Sequence, residues 1–155
     1  MTEAVELVES TVTVPAKGDI AAEFTLEPTG ADQLWILKDS NGLEFDTFHI
    51  VFEGVSSGGT SNSGKATLLI TLVNTDLEFA KQPGKYDGID TYDNDNDGLG
   101  AIQKCKVKNQ APQVLEIELK ANKQTANSFS FKWVAEESSG DQVVSADPMI
   151  RSDPH

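Results

Sequence analysis

Alternation of apolar and polar residues is the feature that most limits what this chain can become. Ile20, Ala22, Phe24 and Leu26 alternate with Ala21, Glu23, Thr25 and Glu27, and Leu115, Ile117 and Leu119 alternate with Glu116, Glu118 and Lys120. Phe129, Phe131 and Trp133 do the same against Ser128, Ser130 and Lys132. A period of two sends every second side chain to one face of a strand, so each segment has one face for a core and one for water. Cys105 and Val107 share the apolar side of another such segment and leave Lys104, Lys106 and Lys108 to solvent. Further strands are expected over residues 34–37, 45–52, 66–73 and 77–79.

The connections agree with that period. Asn41-Gly42 stands between two apolar runs, which is a strong hairpin signal. In residues 4–14, Val5 and Leu7 fall on one parity and Val8, Val12 and Val14 on the other. A bulge or a change of sheet would reconcile the two halves. No run of ten residues repeats the helical period, so many short strands broken by Gly, Pro, Asn and Asp predict an all-β antiparallel sandwich of about 7–9 strands.

With 155 residues the chain is long enough for one core and short for two, so residues 1–155 are read as a single domain. Two connections stand apart: a Gly/Ser-rich one at 54–65, expected to be flexible, and an acidic, aromatic one at 80–100. Twelve Lys plus Arg against 25 Asp plus Glu give a net charge of −13. That balance excludes duplex nucleic acid and disfavours anionic membranes, because both need a basic face. Residues 101–125 carry five Lys against Glu116 and Glu118, a polarity that would help the acidic connection fold back on the basic strand. No basic-then-apolar leader opens the chain and Cys105 is its only cysteine, which favours an intracellular protein.

The motif with a physical mechanism is Asp93-Asn94-Asp95-Asn96-Asp97-Gly98-Leu99-Gly100. Carboxylates at every second position converge on one side of a tight loop, and Gly98 permits the turn that brings the Leu99 carbonyl inward. Hard oxygen donors at that density suit Ca²⁺. The stretch resembles the first half of an EF-hand loop, but Lys104 stands where the bidentate Glu belongs, and Pro83, Gly84 and Gly88 argue against an entering helix. Asp87 and Asp90 are the nearest acids that could complete the shell. The competing reading is an acidic turn solvated by water and sodium.

Other chemistries fit less well. His49, Cys105, Met149 and His155 include the ligand types of a blue-copper site, but no His follows closely after Cys105. Cys105 reads as a buried, inert thiol. No Gly-x-Ser-x-Gly elbow is present, and Glu136-Glu137, adjacent on a strand, point to opposite faces. Exposed rings on a sandwich could stack on a sugar, and Trp35, Tyr86 and Tyr92 are the candidates; Trp133 shares the parity of Phe129 and Phe131 and is assigned to the core.

The ending Ser145-Ala146-Asp147-Pro148-Met149-Ile150 resembles the closing Ser-x-Asp-Pro-x-Ile stretch of the DP-EP family of small bacterial β-sandwich proteins, with Glu27-Pro28 as the other dipeptide. The resemblance implies an immunoglobulin-like sandwich and no catalytic residues. Independently of it, Pro148 fixes φ, and residues 146–150 are expected to run extended along a sheet edge. The sequence thus points to a non-enzymatic binding or structural module with a candidate calcium loop at Asp87, Asp90, Asp93, Asp95, Asp97 and Leu99. Its rivals are a carbohydrate-binding module and a homo-oligomeric assembly protein pairing through a strand edge along residues 5–14.

Overall fold

The computed structural model describes residues 9–15, 18–53, 64–81, 86–91, 102–108, 110–119, 127–146 and 149–154. These form thirteen strands and no helix: β1 Glu9–Val14, β2 Ile20–Glu27, β3 Ile36–Lys38, β4 Glu44–Phe45, β5 Thr47–Phe52, β6 Ala66–Leu72, β7 Glu78–Phe79, β8 Ile89–Thr91, β9 Ile102–Lys108, β10 Ala111–Leu119, β11 Asn127–Glu136, β12 Gln142–Val144 and β13 Met149–Pro154. One sheet runs β1-β5-β13-β11-β12, with β7 and β8 also on β11; the other runs β4-β3-β2-β6-β10-β9. The chain is an all-β sandwich.

Two features differ from the expectation. The strand count exceeds nine because the expected 45–52 run is divided into β4 and β5 and because β8 and β12 are three residues long, too short for a period of two to declare itself. Pairing is mostly antiparallel, but β1 with β5, β5 with β13, and β2 with β6 are parallel. The run expected at 45–52 breaks at Asp46, where the chain leaves β4 in the second sheet and enters β5 in the first.

Burial follows parity. Val12, Val14, Phe48, Ile50, Phe52, Phe131 and Trp133 from the first sheet meet Phe24, Leu26, Leu68, Ile70, Leu115 and Ile117 from the second. Phe48 is the hub, with ring centroids 5.1 Å from Phe24, 5.0 Å from Phe45 and 6.4 Å from Trp133, all edge-on. Such edge-to-face pairs contribute ~0.5–1.5 kcal/mol each beyond the area they bury. The Asn41-Gly42 hairpin is present between β3 and β4: Asp39 N–H donates to the Leu43 carbonyl at 3.0 Å, and Gly42 takes φ 81°, which glycine adopts at little cost.

The ending departs from the edge position expected of it. β13 lies inside the first sheet, parallel to β5 on one side and antiparallel to β11 on the other. Its prolines fit there because Pro148 precedes the strand and Pro154 is its last residue. Ser145, wholly buried, bridges the break between β12 and β13. Its hydroxyl accepts the Trp133 N–H at 2.8 Å and donates to the Ala146 carbonyl at 2.7 Å, and its own N–H donates to the Trp133 carbonyl. The burial of that hydroxyl is therefore compensated by partners.

Candidate functional site

The approach to the acidic segment is built by β8 and β9. β8 lies on β11, with Ile89 opposite Trp133, Asp90 opposite Lys132 and Thr91 opposite Phe131. Ile89 is fully buried and Asp90 is exposed, as alternation requires. Just before it, Gly88 takes φ 70° and is packed so closely that a Cβ there would stand 2.9 Å from the Leu115 side chain. Its N–H donates to the Ala80 carbonyl at 2.7 Å and its carbonyl accepts the Val134 N–H at 2.8 Å, so β8 is locked to β11.

Asp87 clasps the outer edge of β9, the last strand of the second sheet. Its N–H donates to the Cys105 carbonyl at 3.2 Å, its Oδ2 accepts the Val107 N–H at 3.0 Å, and its own carbonyl accepts the Cys105 thiol at 3.2 Å. These bonds tie residues 18 and 20 apart in the chain and satisfy ladder groups that an edge strand would otherwise leave open. Burial pushes the Cys105 thiol well above its ordinary range, and the Asp87 charge adds to that shift. A thiol so held is a poor nucleophile or metal ligand at neutral pH.

Asp87 and Asp90 both precede the acidic segment, Asp87 bonded to the edge of β9 and Asp90 exposed on β8. Asp93, Asp95, Asp97 and Leu99 lie outside the described residues, as does Tyr92. Among the described residues, no group of three or more His, Cys, Asp or Glu side chains is placed to hold a metal ion. His49 sits half-buried on β5 with Thr11 Oγ1 3.4 Å from its Nδ1, whereas Cys105 faces the core from the other sheet, so the two do not share a site. Trp35 corrects an expectation: it is 2% exposed, and its indole N–H donates to the Gly30 carbonyl at 2.8 Å, so it offers no stacking face. Tyr86 is half-buried against the core.

The lysines of β9 serve a purpose that the sequence reading missed. On the outer face of the second sheet, Lys104 reaches Glu116 at 3.2 Å and Glu118 at 3.5 Å, Lys108 reaches Glu116 at 3.6 Å, and Lys65 reaches Glu118 at 2.9 Å. The contact with Lys65 and the nearby charges hold the Glu118 carboxyl below its ordinary range, and Glu116 and Glu118 raise Lys104 and Lys65 in turn. The opposed parities of Glu116 and Glu118 and of Lys104, Lys106 and Lys108 carried this signal. Gln110, at φ 64°, supplies the turn residue between the two strands. Of the acidic connection, the described Asp87 rests on the edge of β9, bonded to Cys105 and to the Val107 N–H rather than to the lysines.

A cleft of about 580 Å³ opens beside this clasp, lined among others by Lys81, Asp87, Lys106, Lys108 and Glu136. A second, about 500 Å³, lies between β1, β2 and the 39–41 turn, with Thr11, Glu23 and Asp39 on its walls. Compared with models of known protein families and with curated proteins, the chain matches none.

Proposed function

We propose that the chain is a binding or structural module, without a reaction of its own, whose acidic segment takes up Ca²⁺ through Asp93, Asp95, Asp97 and the Leu99 carbonyl, with Asp90 or Asp87 completing the shell. The observation that carries this reading is the clasp. Asp87 is bonded to Cys105 and Val107, so the chain just before the acidic segment is tied to the strand that follows it. Holding the two flanks in place lowers the ordering cost of binding between them, and the mutual repulsion of closely spaced carboxylates is what a divalent cation relieves. Of the two candidate closing acids, Asp90 is the better placed, because one carboxylate oxygen of Asp87 already accepts the Val107 N–H. The carbohydrate alternative keeps Tyr86 and Tyr92 as candidate rings and loses Trp35.

The shell lacks a bidentate Glu, so the expected affinity is weak, ~10⁻⁴ to 10⁻³ M. At a hundred times the dissociation constant the folded state gains ~2.7 kcal/mol. A thermal melt in EDTA and again in ~10–100 mM calcium, a hundred times that range, reads this as a raised midpoint, which Asp95→Ala removes. An unmoved midpoint, or an Asp95→Ala chain that responds as the parent does, would reduce the segment to a solvated turn.

A further inference from the structure

β2 is paired along nearly its whole length on one side and only in part on the other. It has eight residues, and β6 matches Ile20 through Leu26, whereas the three residues of β3 meet Thr25, Leu26 and Glu27 alone. The chain then turns back at 39–42 into β4, so the β3-β4 hairpin stops short of the first half of β2. The ladder shows which main-chain groups this leaves open. Ile20 N–H donates to the Lys65 carbonyl at 2.9 Å and the Leu26 carbonyl accepts the Val73 N–H at 3.0 Å, so Ile20, Ala22, Phe24 and Leu26 address β6. The intervening residues address the opposite side. Thr25 and Glu27 meet β3 there, and among the described residues Ala21 and Glu23 meet no strand.

This open stretch borders the cleft of about 500 Å³, whose other walls are residues 10–12 of β1 and the 39–41 turn. We infer that the cleft is a peptide-binding site, in which an extended basic segment of another protein adds to the second sheet beside residues 20–24, in line with β3. The inference is independent of calcium. A strand edge with free N–H and C=O groups at every second residue is a template for strand addition, because a partner's main chain satisfies them. Side chains next to each other in paired strands share a face. Phe24 is buried and Ala22 packs against the core, so the incoming residues beside them are apolar; Glu23 is exposed on the other face, so those beside it are basic. Charge selects the partner. Glu23 and Asp39 line the cleft, no lysine or arginine does so among the described residues, and the chain carries −13 overall. That field attracts a basic segment and repels a second copy of this chain.

Hydrogen exchange of the full-length chain, read residue by residue by NMR, tests the edge first. In the free protein the Ala21 and Glu23 amides should exchange well ahead of those of Ala22 and Phe24, which the β6 ladder holds. Equal protection at all four would mean that the chain already covers this edge, and would overturn the inference. The probe is then acetyl-Lys-Val-Lys-Val-Lys-amide, with acetyl-Glu-Val-Glu-Val-Glu-amide as its control. The lysine peptide should slow exchange at 21 and 23 and bind less tightly as salt rises, and the glutamate peptide should do neither. Ala21→Pro removes an N–H that the β2-β6 ladder does not use, and should weaken binding about tenfold. Glu23→Lys, on the exposed face, should turn the preference toward the glutamate peptide. A lysine peptide that does not bind, that leaves 21 and 23 unprotected, or that binds both variants as it binds the parent contradicts strand addition at this cleft.

Discussion

The two sheets carry similar apolar faces and are closed by different means. In the second sheet β3 and β4 are joined by the 39–42 turn, β9 and β10 by another at Gln110, and the outer face adds an ion-pair network between β9, β10 and Lys65. In the first, β1, β5 and β13 are mutually parallel and lie far apart in the sequence. Turns make β3–β4 and β9–β10 local, whereas β6 meets β10 from far along the chain and every parallel neighbour, β2 with β6 included, must be reached by a long crossover. The difference teaches where stability is concentrated: losing β4 or β9 loosens an edge of the second sheet, but losing β13 parts the first sheet down its middle.

The largest effect should come from ending the chain after Pro148. Without β13 the β1-β5 pair has no partner on the β11 side, and the truncated chain is expected to lose its cooperative unfolding transition altogether in a urea titration, the full ~5–15 kcal/mol of a domain this size. A folded truncated chain would mean that the first sheet does not depend on its last strand.

Next in size is the hub between the sheets. Phe48→Ala removes a fully buried ring that touches three others and should cost ~3–5 kcal/mol, while Thr13→Ala on the exposed side of β1 should stay within ~0.5. Similar losses at both positions would show that the assigned faces are wrong.

The smallest effect belongs to the network on the second sheet. Glu118 is held below the ordinary carboxylate range, so the stability it adds is complete at neutral pH and is lost as pH falls through its lowered value. Lys65 and Lys104 are raised, so their share is present below the ordinary lysine range and fades as pH climbs through their higher values. Glu118→Gln should flatten the acid limb of a stability-against-pH curve and reduce its sensitivity to salt, with only a degree or two lost from Tm at pH 7.

The same contrast explains what was legible in the sequence. Which side chains face the core could be read at Phe24, Leu26, Ile117 and Trp133, because burial of one face is the reason for alternation. The 39–42 hairpin was legible for a local reason, since Gly42 meets a turn's demand for positive φ. Partner choice was not: nothing in the side chains of β2 announces a parallel neighbour 46 residues on, and the prolines beside β13 suggested an edge because their place at the ends of the strand could not be known. At the site, the Asp-x-Asp-x-Asp-Gly spacing was plain, whereas Asp87's part as a clasp required knowing that β9 ends its sheet and that Val107 has an N–H to satisfy.

Hydrogen exchange of the full-length chain tests the central claim most directly, because the first sheet holds together only if β13 is paired on both sides. The amides of residues 150–153 should be protected to the same degree as those of 48–52 and should be released with them as denaturant is added, since one opening frees both. If residues 150–153 exchange as fast as an unfolded peptide while 48–52 stay protected, β13 is not the strand that closes the sheet.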